Sequence, residues 1–185
     1  MTILLTILGI ILIIGVFLWT IYNRLVRAQN VIDEAFSGID VQLKKRFSLI
    51  PQLVEVTKAY NKHESDMLER IVELRSGVDN RSNLEGTVAI DQKVTNTLNL
   101  LKITVEDYPE LKANTQFLKL MDNLSAVEND LAMSRRYYNG ATRDFNTKIE
   151  VFPAVLVAGK FGFKEVGFYE INEDEKAVPE INLNN

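Results

Sequence analysis

The sequence has no cysteine and one histidine, His63. Disulfides, thiolate nucleophiles, sulfur-held zinc clusters and thiol switches are therefore excluded. The compartment stays open, because a chain without thiols tolerates either redox state. His63-Glu64 opens like the His-Glu-x-x-His of zinc proteases, but Met67 stands where the second histidine belongs. Zinc needs at least three protein ligands, and no other histidine is present. A di-iron bundle needs paired Glu-x-x-His motifs, yet Tyr60 precedes His63 by three residues. His63 reads as a polar residue in or near a helix seam. No phosphate-cradling glycine loop and no Gly-x-Ser-x-Gly occurs. Carboxylate pairs such as Glu106-Asp107 and Glu173-Asp174 are ordinary on solvated helices. The sequence predicts no metal, no cofactor and no catalysis. Concentrated positive charge is missing too. Net charge is -4 and no basic block exceeds Lys44-Lys45-Arg46, which argues against a nucleic-acid partner.

Charge is absent altogether from Thr2 to Tyr22. As a helix this run spans about 31 Å, close to the apolar thickness of a bilayer. Fourteen of its side chains are Ile, Leu, Val or Phe. On the insertion scale they favour the membrane by roughly 4 to 8 kcal/mol, less what Gly9, Gly15 and the threonines subtract. Trp19 and Tyr22 stand where amphipathic rings prefer the headgroups. A cleavable signal would have a basic start, a shorter core and a small-residue cleavage site, and Ile21-Tyr22-Asn23-Arg24 is a poor one. A soluble core helix rarely runs about twenty residues without a polar face. The expectation is a single-pass anchor over 1–22. Arg24 and Arg27 follow it, so the positive-inside rule places the N-terminus outside and the body in the cytoplasm.

Beyond the anchor the apolar residues keep a three-four period, the mark of packed helices. One stripe runs Leu25, Ala28, Ile32, Ala35, Ile39, Leu43, Phe47; nothing breaks the chain between Tyr22 and Leu25, so the anchor is expected to continue as one long helix. A second runs from Leu53 through Tyr60, His63 and Met67 to Val78. A third takes Val88, Asp91, Val94, Leu98, Leu101 and Val105, with Asp91 as its flaw. The fourth goes from Phe117 through Leu124, Leu131 and Tyr138 to Phe145 and Ile149. Either a new helix begins at Ser48, or Pro51 kinks a continuous one. Ser76-Gly77 through Glu85-Gly86 reads as a polar loop. Pro109, with Asp107 as a nearby cap, marks the next start, and Phe152-Pro153 ends the fourth helix.

These signals divide the chain into an anchor (1–22), a cytoplasmic helical body (23–152), an apolar C-terminal segment (153–171) and a polar, acidic, disordered tail (172–185). In the third part Phe161, Phe163, Phe168 and Ile171 interleave with glycines. They either pack back on the body or form a candidate contact surface for a partner or membrane. Polar residues inside the stripes make a second candidate. Glu64 or Glu128, if buried, needs Arg135 or Arg136, and such a cluster pins the register of helices two and four. The bland alternative is a solvated face.

Ordered motifs carry a resemblance beyond composition. Tyr22-Asn23-Arg24-Leu25-Val26 follows the anchor, and the block from Ile39 through Gln42-Leu43-Lys44-Lys45-Arg46 to Ile50-Pro51-Gln52-Leu53-Val54 is the most distinctive. Tyr108-Pro109-Glu110-Leu111-Lys112-Ala113-Asn114, Glu128-Asn129, Arg135-Arg136-Tyr137-Tyr138-Asn139, Asn146 and Phe152-Pro153 continue it. With these the chain resembles the LemA family of bacterial membrane-anchored helical proteins over nearly its whole length. Phe47-Ser48, where the family tends to carry an aromatic then Asp, and Met121, where Gln is usual, depart from it. The resemblance implies an all-α fold, with an N-out transmembrane helix continuing into a cytoplasmic antiparallel bundle of about four helices. It implies no established enzyme activity. Relatives include magnetosome-membrane proteins associated with building invaginated membrane. The expected function is a non-enzymatic scaffold at the bacterial inner membrane, self-assembling as a homo-oligomer in the lipid bilayer. The alternative is a tethered adaptor that recruits an unidentified protein partner.

Overall fold

The computed structural model describes residues 1–58, 84–106 and 108–170. Their regular structure is all helical: α1 (Thr2–Lys58), α2 (Leu84–Glu106), α3 (Pro109–Lys112), α4 (Thr115–Glu150) and α5 (Ala154–Phe161). The His63 stripe, Glu64, Asp107, Ile171 and the acidic tail lie outside the described residues.

α1 is one helix of 57 residues with Pro51 inside it. Ser48 does not cap a new start; its hydroxyl donates to the Lys45 carbonyl at 2.7 Å, within the helix. Pro51 supplies no N–H for the carbonyl four residues back. One turn on, the Gln52 side-chain amide adds a bond to the Ser48 carbonyl at 2.9 Å. In the apolar run, Thr6 and Thr20 donate their hydroxyls to Ile3 and Phe17 carbonyls at 2.8 and 2.7 Å. Both are satisfied inside the helix, which lowers the cost of placing them in lipid. Among the described residues one helix is long and apolar enough to cross a membrane.

The loop expected to reach Gly86 ends earlier, because α2 begins at Leu84. Its polar opening residues form a first turn, where Glu85 suits the positive end of the helix, before the buried face begins at Thr87. Pro109 opens only the single turn α3. The chain then restarts: Asn114 Oδ1 accepts from the Gln116 and Phe117 amides at 2.9 and 3.0 Å and caps α4. α4 stops just before Phe152-Pro153. α5 closes at Gly162, whose φ of 77° is the left-handed value glycine adopts freely.

The chain forms two compact units. The first takes Met1–Gln42 and Asp130–Phe168. Its buried residues include Leu25, Ile32 and Ile39 of α1, Leu131, Tyr138 and Phe145 of α4, and Val157 and Ala158 of α5. Both long helices repeat a core residue every seven positions here, as helices packed along a shared seam do. They run in opposite senses: Phe36 meets Tyr138 at 5.9 Å between ring centroids, while Phe17 to Val31 face Lys148 to Ala154 across a cleft. The segment after α5 is held along them. Asn146 donates to the Val166 carbonyl at 2.9 Å and accepts the Val166 amide at 3.0 Å, and the Tyr138 hydroxyl donates to the Gly167 carbonyl at 3.0 Å.

The second unit takes the described residues of Leu43–Asn129 and of Tyr169–Asn185. Ile50, Leu53 and Val54 pack with Val94 and Leu98 of α2, Leu111 of α3, and Phe117, Leu120 and Leu124 of α4. Burying each such side chain contributes roughly 1.5 to 3 kcal/mol before chain entropy is counted.

Candidate functional site

The most concentrated chemistry in the second unit surrounds Arg46. Leu25, Ile32, Ile39, Arg46 and Leu53 are seven residues apart, so α1 carries the guanidinium at a core position. Arg46 is 2% exposed. Its Nη1 reaches Asp91 Oδ1 at 2.6 Å. Its Nη2 reaches Thr95 Oγ1 at 3.0 Å and Glu128 Oε1 at 2.6 Å. Asp91, 3% exposed, uses its other oxygen to accept the Tyr169 hydroxyl at 2.6 Å. Thr95 in turn donates to the Asp91 backbone carbonyl at 3.1 Å. α1, α2, α4 and the C-terminal segment thus converge on one cation.

Physical chemistry explains the composition. A buried guanidinium is tolerable only when paired and hydrogen-bonded, and its planar fork allows two carboxylates at once. Asp91 is the enclosed partner; Glu128, about a third exposed, is the solvated one. The arrangement orients helices. Among the described residues no three His, Cys, Asp or Glu side chains gather as metal ligands; the two acids here instead meet the same arginine.

The residues expected from the sequence fall as follows. Glu128 lies on α4 and pairs with Arg46. Arg135 is half-buried and engaged, and the Arg136 Nε–H points at the Ala132 carbonyl at 3.4 Å. The Phe161 ring meets Tyr22 tilted at 55°, 4.8 Å between centroids, and Phe163 meets Tyr22 at 5.8 Å and Phe145 at 6.3 Å. Phe168 is exposed. Arg46, Thr95 and Tyr169 were not among the expected residues. The seven-residue spacing would have found Arg46, and the stripe flaw at Asp91 was its partner's signature.

Among the described residues the fold and this node define an all-helical protein with one membrane-length apolar helix and an ion-paired core. The model of the LemA family matches residues 35–183, and the chain belongs to that family. It is 29% identical to Protein LemA of Metamycoplasma hominis over 92% of this chain and 80% of that one. It is 24% identical to magnetosome protein MamQ 2 of Paramagnetospirillum magneticum, over 80% of this chain and 64% of that one. Magnetosome protein MamQ of Magnetospirillum gryphiswaldense is 23% identical over the same shares. The chain therefore spans less than two thirds of the magnetosome relatives. Family, apolar helix and relatives together make it a membrane-associated helical protein.

Proposed function

We propose that the protein is a non-enzymatic, membrane-anchored helical scaffold that self-assembles and organises or shapes the bilayer. One observation carries this reading: α1 is unbroken from the apolar run to Lys58. Within the first unit the helix passes from the apolar run to Gln42 without a break, so whatever orients that polar stretch also orients the apolar run. The relatives named for the magnetosome support a role in membrane organisation. In this reading the N-terminus is outside, the body is a cytoplasmic antiparallel bundle of about four helices at the bacterial inner membrane, and copies associate side by side. Particle size of the full chain in nanodiscs tests it. Assemblies larger than one chain are expected; a strictly monomeric particle sinks the scaffold.

The exposure of Phe161 and Phe168 favours one alternative, a tethered adaptor that docks a protein on its C-terminal segment. A single reproducible partner in proximity labelling, lost on deleting residues 161–171, would decide for it.

A further inference from the structure

α5 has two unlike faces. Val157 and Ala158 are buried in the first unit. Val155 and Leu156 look away from it, 40% and 64% exposed, and Phe152, two residues ahead of the helix, is 78% exposed. Next to this apolar face an open cleft of about 550 Å³ separates α1 from the α4–α5 junction. Phe17, Ile21 and Phe152 give it apolar walls, and Arg24, Arg27 and Lys148 give it cations; none of its lining residues is acidic.

Height along α1 decides what covers this surface. The cleft starts at Phe17, inside the uncharged run, and Phe161 and Phe163 rest on Tyr22, the last residue of that run. The C-terminal end of α5 is therefore level with the end of the apolar segment, and its N-terminal end borders a cleft that runs along α1 from Phe17 to Val31, across that same level. Phe17 lies about 7 Å deeper than Tyr22 along the axis, within the ~5 to 10 Å that interfacial helices sink below the headgroups. Protein partners do not reach that depth easily, whereas lipids fill it. The three cations stand where phosphates lie, with stems long enough to follow them.

We propose that α5 and the adjoining cleft form an interfacial site for an anionic phospholipid. Phe152, Val155 and Leu156 enter the acyl boundary, one lipid chain occupies the cleft, and Arg24, Arg27 and Lys148 hold its phosphate. This rests on reading Thr2–Tyr22 as the anchor.

Trp19 is the sole tryptophan, which makes depth measurable. The full chain is reconstituted into vesicles whose acyl chains are brominated near the headgroup. In a Trp19→Phe background, Leu156→Trp and Phe152→Trp should lose about half or more of their fluorescence. Met133→Trp, exposed farther along α4, should keep it. If native Trp19 is quenched but positions 152 and 156 match 133, the site is overturned while the anchor stands. If Trp19 is not quenched either, the anchor fails and takes the site with it. Charge is tested in nanodiscs of equal phosphatidylcholine and phosphatidylglycerol by weighing the lipids retained on the released protein. Phosphatidylglycerol enrichment is expected, and Arg27→Gln with Lys148→Gln should abolish it. Equal retention of both lipids by the unmodified chain, or enrichment that survives the double substitution, overturns the anionic preference.

Discussion

A guanidinium in an apolar seam is an unforgiving choice, because removing it strands the acid it was buried with. Arg46→Ala should cost about 3 to 5 kcal/mol, most of it from leaving Asp91 enclosed without its cation. Glu128→Gln should cost about 1 kcal/mol or less, since that carboxylate keeps contact with water. Urea unfolding of the detergent-solubilised chain, followed by circular dichroism, ranks them; equal losses would show that the two acids are not the unlike partners described above. Tyr138 makes a pH prediction. Burial pushes its phenol above the ordinary 10.0, the Thr142 hydroxyl offsets part of this, and the Asp33 charge adds to it. A raised native value means the folded state holds its proton longer. Its contribution is full below about pH 10 and is lost as pH rises from there through the raised native value. Tyr138→Phe forfeits the Gly167 bond, about 1 kcal/mol at pH 8. The melting temperatures of the two proteins should converge as pH climbs past 10.

Among the elements, α1 carries a built-in defect. Pro51 is exposed and interior to the helix, a position where proline is about 3 kcal/mol worse than alanine before the helix adjusts. Pro51→Ala should therefore stabilise the chain by about 1 to 3 kcal/mol, read as a higher urea midpoint at unchanged slope. A loss of stability would mean that the local geometry Pro51 imposes is needed for packing. The long helices were legible because their buried residues recur at the helical period, and Tyr138 and Phe145 stand in the core as their stripe placed them. Capping chemistry was harder. Pro109 announced a start correctly, but the single turn it opens ends before Asn114, whose side chain begins α4. Both residues favour helix starts, so spacing alone does not rank them. The glycine-spaced end was ambiguous for a related reason. Besides the ring contacts of Phe161 and Phe163, its fixings are polar bonds from Asn146 and Tyr138, which hydrophobic periodicity does not register.

At the scale of the whole molecule the absence of cysteine becomes an instrument, since any introduced thiol is unique. With the proposed topology, Thr2→Cys reacts with a membrane-impermeant maleimide in intact cells, and Tyr137→Cys reacts only after lysis. The reverse pattern would put the body outside. The long apolar helix was evident from composition, because length and lack of charge are whole-segment properties. The Arg46 node was not. Its members lie far apart in sequence and look like surface residues until the seam's seven-residue spacing is followed through Arg46.

That node also bears on heat. Withdrawing charged groups from water becomes less costly as temperature rises, while the gain from apolar burial levels off. A core that gives two of its buried positions to Arg46 and Asp91 is weighted toward the warm side of its stability curve. Replacing the pair with Met and Leu should help most in the cold, and its advantage should shrink with every degree of warming.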